Sequence, residues 1–537
     1  MNSQQEPMPA DIRGYHQRTK HAPNRYALGP AFLDWTSQPD PFRLFEGARR
    51  IDLPLLDGGK RAPFPGPAAK SAELDPRSLG VFLELAFGIS AWKSFEGSTW
   101  ALRNNPSSGN LHPTEAYVIL DATAGVGDKA ALYHYTPLSH ALEERALFEA
   151  TRVLPAGGFL LALSTIAWRE AWKYGERSFR YCQLDAGHAV GAAAQAAAAL
   201  GWRAHLLPEP SDDDLAALLG LDRADAAHRR EPEHPEALLW ISTDAAPRIV
   251  CDLRALIDVP RSWRGAANRL SEDHDGWPLV DRAVQLCRKQ RLQSTALSPS
   301  QSKPATTVDG VGVGDIVRRR RSAQRMDGVA VLPRGSFSAM LAATLPGSSP
   351  LLSAFPWPAR LALALFVHRV EGLEKGLYIL QRDSDALARF RAACSPNFAW
   401  TPVDLDGLPL FLLREGSVEK EATQMACLQA IAGKGCFSLA MIADFDRTLG
   451  ENGAFGYRRL HWEAGLIGQA LYLWASATGF SGTGIGCFFD DEVHALLGLA
   501  QGRTEFQDIY HFTVGTAIED ARLLTLPPYP DDRRERP

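Results

Sequence analysis

The sequence predicts an α+β protein in which one domain occurs twice, as a tandem pair within a single chain. Three observations carry this. The 537 residues exceed what one hydrophobic core ordinarily organises. The same order of elements can be read in each half: helix, strand, strand, long central helix, glycine turn, short helix, strand. Each half also has one long helix, and that of the first half is apolar nearly all round, the mark of a buried central helix. Two such copies in one chain are the covalent counterpart of a homodimer.

The elements follow in order. Residues 1–75 are rich in Pro, Asp and Arg with little periodicity, and read as an extended arm with short helices that wraps a neighbour. Copy one spans 76–250. SLGVFLELAFGISAW has helical spacing at Leu79, Phe82, Leu83 and Phe87. The loop PSSGNLHP leads into a strand, AYVIL, and a second strand, ALYHYT. An alanine-rich stretch from Phe179 to Leu200 favours helix and permits close backbone packing. EALLWIS closes the copy as a strand.

Residues 251–312 read as a connector with one helix, LVDRAVQLCRKQ, and a Ser/Thr/Pro/Gln-rich stretch, QSTALSPSQSKPATTVDG. Copy two spans 313–527. GDIVRRRRSAQRM precedes a helix, SFSAMLAATL, and then a strand, ARLALALFVHRV, with GLYILQRD as its hairpin partner. The long helix YRRLHWEAGLIGQALYLWASATG follows, then the glycine turn GTGIG and a last strand, IYHFTVGTA. Residues 528–537 are a tail.

Composition narrows the functions. Hydrophobic residues make up 45%, charged residues 22%, and the net charge is −5, which leaves no basic footprint for nucleic acid. The seven cysteines form no CxxC pair, which argues against a zinc site or a disulfide framework and for a reducing compartment. The N-terminal stretch has no apolar core of a signal peptide, and runs such as LALALF are too short to span a bilayer. The expectation is a cytoplasmic protein without a membrane partner. HExxH, GxSxG and GxxxxGK[ST] are absent, so hydrolase and NTPase readings have no support.

Several stretches are candidates for chemistry. Pro106, Ser107, Ser108 and Asn110 sit in a turn that exposes backbone N–H groups and short polar side chains. Arg320, Arg321 and Ser322 end a run of four arginines, whose forks match phosphate oxygens, although such a run also suits a solvated linker. Arg522 follows the last strand and reaches the same anion if that strand runs beside the arginines. At Gly484, Ile485 and Gly486 a backbone can approach a planar ligand closely, or simply turn. Lys173 and Tyr174 are proton-transfer candidates. Asp185 and His188 lie three apart on one helical face, where a helix-start Asp and a core His explain them equally well.

Together these motifs resemble the nitroreductase-like flavoproteins, and among them the SagB-type dehydrogenases that oxidise azoline rings in peptides. RRRRS resembles that family's phosphate-binding Arg-Arg-Ser element. PSSGNLHP resembles its Pro-Ser-Ser-x-Asn-x-x-Pro loop, which meets flavin from the partner subunit. KYGERSFRYCQLDAGH resembles the segment whose Lys-Tyr pair serves substrate deprotonation, and GTGIGCF with Arg522 is similar to the part that covers one flavin face and closes the phosphate site. The resemblance covers roughly 80–250 and 310–527. It implies two nitroreductase-like domains, each an antiparallel-rich sheet flanked by helices, joined as a pseudo-dimer.

Copy one lacks an Arg-Arg-Ser element, its nearest pair being Arg49-Arg50, and copy two reads SSPLLSAFPWP where the PSSxN loop belongs. Only one complementary set survives. The resemblance therefore implies one flavin mononucleotide (FMN) per chain at the interface of the copies. It implies a peptide, natural-product or other small-molecule substrate, and no metal. Reduction of nitro compounds or quinones by NAD(P)H, and a degenerate non-catalytic scaffold that binds flavin or peptide, are the alternatives.

Overall fold

A computed structural model describes residues 7–56, 62–66, 70–223, 231–244, 252–292, 308–500, 502–530 and 536. Each copy is built on one antiparallel sheet, and the two sheets share their strand order. In copy one the order is Arg203–Leu206, Glu233–Ser242, Gly158–Ile166, Thr114–Leu120, Ala131–Thr136, Ala141–Phe148. In copy two it is Ser481–Ile485, Phe506–Gly515, Phe437–Asp444, Leu361–Val367, Gly376–Leu380, Leu410–Glu415. The inner strands are buried on both faces and read as continuous apolar runs, as in LALALFV.

The central helices Ser178–Ala199 and Phe455–Ala477 pack directly against each other between the sheets. Their crossing depends on two glycines. A Cβ on Gly187 would stand 2.4 Å from the Trp462 carbonyl oxygen, and one on Gly465 would stand 2.3 Å from that of Leu184. Trp462 Nε1 donates to Gln183 Oε1 at 2.9 Å across the same contact.

Both chain ends cross between the copies. Asp11 caps the helix Ile12–Arg18 through the Gly14 N–H. This helix lies over copy two, with His16 near Tyr457 and Gln507 and Arg13 on Asp446. Further on, the arm contributes the edge strand Arg49–Asp52 to the copy-one sheet, which is where Arg49-Arg50 resides. At the other end, Leu524–Leu526 leaves copy two and pairs with Ile89–Phe95 of copy one.

Some expectations need correction. The helix expected over SLGVFLELAFGISAW spans only Pro76–Phe87, starting from an Asp75–Ser78 capping box. Gly88 takes an extended conformation, and the next residues form the strand Ile89–Phe95. GTGIG is an edge strand, Ser481–Ile485, rather than a turn. In the connector, Arg261–Trp263 and Ala266–Ala267 pair with copy one and the arm, and Pro278–Leu286 is the expected helix. Residues 293–307 of the Ser/Thr/Pro/Gln-rich stretch, and Cys251, lie outside the described residues. No helix among the described residues is long and apolar enough to cross a membrane.

The two pseudo-equivalent clefts differ. In copy two, where copy one carries PSSGN, the chain forms the short helix Pro350–Ser353, capped by Ser349. Its Leu351 and Leu352 are buried, and the Leu206 N–H of the copy-one edge strand donates to the Ala354 carbonyl at 3.1 Å. Two leucines at this depth contribute about 1.5–3 kcal/mol each to the packing of this segment.

Candidate functional site

The Pro106–Asn110 loop turns through left-handed backbone at Gly109 (φ +58°) and Asn110 (φ +62°), conformations that Gly and Asn tolerate best. Its polar groups are held by the chain. The Ser108 N–H and hydroxyl donate to Asp185 at 3.1 and 3.0 Å, and Asn110 Nδ2 donates to the Ala101 carbonyl at 2.8 Å. The Ser107 hydroxyl accepts from the His112 N–H at 2.8 Å. Ser108 and Asn110 were expected to donate to a ligand; in this conformation their donors serve the loop itself.

Lys173 and Tyr174 end the helix Ala167–Tyr174, which is stopped by Gly175. Tyr174 lies against the loop, since a Cβ on Gly109 would stand 2.5 Å from its hydroxyl. Its ring packs edge-on against Tyr181 at 4.6 Å, and Lys173 Nζ sits 5.4 Å from its centroid. Burial and then the charge of Glu170 hold the Tyr174 phenol well above its ordinary value, so it is a neutral donor.

Glu170, one turn before, is fully buried, and among the described residues its carboxyl oxygens make no hydrogen bond of good geometry, the Ser107 hydroxyl being its nearest donor. Burial and the neighbouring Asp185 carboxylate push its titration well up, with Lys173 and the Ser107 hydroxyl opposing. Asp185 is itself raised to about 7 by burial, against the Ser107 and Ser108 donors. The protonated form of Glu170 is therefore favoured relative to an exposed carboxyl. A carboxyl raised in the folded state costs stability as pH climbs above its unfolded value. Glu170→Gln is expected to flatten that decline and to be more stable than the wild type at about pH 8, by on the order of 1–3 kcal/mol. Thermal melts from about pH 5 to 8 check this, and parallel curves for the two proteins would contradict it.

The arginine run comes to the same place from copy two. Arg320 is buried and reaches across to copy one, donating to the carbonyls of Arg103 at 3.0 Å and Asn104 at 3.2 Å, just before the Pro106 loop. Its Nη1 has no partner, and its guanidinium lies 5.1 Å from the Tyr472 ring centroid. Burial, with a further push from Arg321, lowers Arg320 to about 10. Arg321 donates to the Ser90 carbonyl and hydroxyl of copy one, both at 3.3 Å. No carboxylate pairs with Arg320 or Arg321 among the described residues. Arg318, by contrast, is paired with Glu84 at 2.6 Å.

Tyr472 joins the arginines to the glycine strand. Its hydroxyl lies 2.8 Å from the Ser322 hydroxyl and accepts from the Gly484 N–H at 2.9 Å. The Gly484 N–H, expected to face a ligand ring, is thus taken by Tyr472. The glycines are required by neighbouring rings. A Cβ on Gly484 would fall 1.9 Å from the Tyr510 hydroxyl, and one on Gly486 would fall 2.2 Å from Tyr181 Cε1. Ile485 is buried between them. His188, one turn after Asp185, lies 3.1 Å from the Tyr510 hydroxyl, and burial lowers it to about 3, so it is neutral.

His188, Tyr510, Gly484, Tyr472 and Ser322 thus run in contact from the central helix of copy one, one turn beyond Asp185, to the arginines of copy two. Arg522 is not part of this run. The segment Thr516–Ile518 does run antiparallel to Arg325–Asp327, but the Arg522 side chain is 74% exposed, held by Asp520 and lying over Phe95.

Sequence reasoning missed three groups. Asp490 is a buried carboxylate that accepts from Arg177 at 3.0 Å, Arg180 at 2.7 Å and the His21 N–H at 3.0 Å. Arg177 and Arg180, three apart in GERSFRYC, were the available signal. Tyr472 and Tyr510 gave none, because an aromatic in an apolar element reads as core. Glu170 was hidden as one more charge in AWREAWKY.

Residues 82–229 and 376–516, more than half of the chain, match the model of the Nitroreductase family. A candidate nitroreductase from Anabaena variabilis has a similar fold over 95% of this chain and 100% of its own, with TM-score 0.68 at 22% identity. The Escherichia coli microcin synthetase McbBCD complex is matched at TM-score 0.26 and 20% identity, over 44% of this chain and 89% of that one. A candidate nitroreductase of Methanocaldococcus jannaschii is 32% identical over 63 residues, 12% of this chain. That match spans about a third of the archaeal protein's length (32%).

Proposed function

The chain belongs to the nitroreductase family, and from that premise we propose that it is an FMN-dependent oxidoreductase of the SagB-type class, with one flavin where its two copies meet. The boundaries that go with this reading are an arm at 1–75, copies at 76–250 and 313–527, a connector at 251–312 and a tail from 528. The observation that carries it is the buried Arg320 guanidinium, with one nitrogen unpartnered and no carboxylate beside it. Burying an unpaired charge costs several kcal/mol, and two carbonyl acceptors return only part of that. A phosphate monoester supplies the missing counter-charge, and Arg321 and Ser322 stand beside it, so the residues present fit the group.

Bound flavin supplies hydride transfer at its N5 atom. The protein's own groups do the rest. Arg320, Arg321 and Ser322 hold the phosphate. The Pro106–Asn110 loop, braced by Asp185, forms the opposite wall with Ser107, Ser108 and Asn110. Gly484, Ile485 and Gly486 border the ring, and Arg522 closes the outer edge if its side chain turns inward from Asp520. Lys173 takes the proton lost by the substrate, with the Tyr174 hydroxyl orienting it. The substrate in this reading is an azoline-bearing peptide or related natural product in the cytoplasm, and oxygen would be the terminal electron acceptor.

Arg320→Ala with Arg321→Ala is expected to give folded but colourless protein, with FMN affinity down about 100-fold or more, as expected for two charge-assisted contacts. Flavin absorbance per chain in wild type and variant tests this; equal occupancy sinks the phosphate assignment. Anaerobic mixing with NADPH tests direction, since rapid bleaching of the bound flavin would make the protein a reductase.

A further inference from the structure

A second reactive centre lies just beyond Gly486. Cys487 follows that glycine, and Cys427 sits in the segment that leaves the helix Glu419–Met425. The two stretches are stitched together on either side of the thiols. The Phe489 N–H donates to the Met425 carbonyl at 2.8 Å, and Gln429 Nε2 donates to the Cys487 carbonyl at 3.0 Å. The two thiols shift each other's titration across this seam.

Cys427 and Leu428 both take left-handed backbone, at φ +51° and +62°, where the chain leaves the helix. A cavity of about 520 Å³ opens alongside, lined by Pro23, Thr423, Gln424, Leu428 and Phe489 among others. Cys427 and Cys487 are half-buried, whereas Cys182, Cys287, Cys394 and Cys436 are buried.

We propose that Cys427 and Cys487 are a reversible dithiol–disulfide couple, oxidised by hydrogen peroxide. Cys487 is the attacking thiol. The neighbouring Cys427 thiol favours its thiolate, with burial opposing and Arg177 assisting, while Cys487 and burial disfavour the Cys427 thiolate. A low-titrating thiol beside a resolving thiol is the arrangement peroxide oxidation selects. The Cys487 thiolate attacks one peroxide oxygen. An S–O bond forms, the O–O bond breaks, and the departing hydroxide takes the thiol's proton as water. Cys427 sulfur then attacks the sulfenic sulfur. The S–S bond forms and the second hydroxide leaves with the Cys427 proton, so two thiols and one peroxide give one disulfide and two waters. A thiol reductant reverses it. The oxidised bridge ties Gly486, whose carbonyl accepts from Tyr181 and Arg177 at 3.2 Å each, to the cavity wall.

The proposal rests on the flavin reading only for its natural peroxide source, the reduction of oxygen. The test therefore adds peroxide itself, to full-length protein with and without bound flavin. Expected are an intact mass lower by two hydrogens, a peptide cross-link between Cys427 and Cys487, and reversal by dithiothreitol. Cys427→Ser should abolish the cross-link and leave Cys487 carrying oxygen, with an unchanged melting temperature showing that the variant is folded. Oxygen addition at Cys487 of the wild type without a cross-link, or oxidation confined to other cysteines, overturns the proposal. A cross-link in colourless protein would uphold the couple while the flavin assignment fails.

Discussion

Lys173→Ala is expected to lower turnover by about 10²- to 10⁴-fold, the ordinary range for losing a positioned proton acceptor, while flavin content stays that of the wild type. Lys173 Nζ stands over the Tyr174 ring, and Tyr174 touches the Pro106–Asn110 loop at Gly109. The pair therefore borders the proposed flavin without any contact to Arg320 or Arg321. The measurement is the anaerobic rate of flavin reduction by a thiazoline- or oxazoline-containing peptide, with absorbance recorded beforehand. Loss of colour would mark Lys173 as a structural residue. Unchanged rates would remove it from the chemistry and with it the dehydrogenation reading.

The largest effect on stability is expected from Asp490→Ala, at about 3–5 kcal/mol. Burial alone would raise this carboxyl, but Arg177 and Arg180 overcome it and hold it far below the usual carboxylate range. Removing it strands two guanidiniums that are 1% exposed. The arm loses an anchor too, since Asp490 accepts the His21 N–H and Arg177 donates to the Thr19 carbonyl at 2.6 Å. Denaturant unfolding reads the loss directly. A change under about 1 kcal/mol would mean the triad is solvated and contributes little.

Much of the fold was legible because its two longest helices announce themselves. Twenty-two and twenty-three residues without a break, small or apolar nearly all round, have no place except between two sheets. The repeat of elements followed from the same two landmarks. Local errors came where one residue type serves two conformations. Gly88 ends a helix whose apolar spacing continues into a strand, and GTGIG needs its glycines for ring contact in a strand rather than for a turn.

The site was legible where polar residues are punctuated by Pro and Gly, as at Pro106–Asn110, or concentrated, as at Arg318–Ser322. What escaped depends on partners far away in the chain. Asp490 is ordinary at a helix start until Arg177 and Arg180 arrive from the other copy. Glu170 is unremarkable until it is buried. Arg522 was placed by analogy, and the Asp520 carboxylate two residues away takes its guanidinium outward.

The helix Pro350–Ser353 has a consequence for how such a chain can change over time. In a symmetric assembly of identical subunits, every substitution strikes both active centres, and each position must suit two tasks at once. In the proposed one-flavin reading, with Leu351 and Leu352 packed where the second loop would stand, that bind is released. A mutation in one half is then felt once, so either half is free to specialise at its own pace.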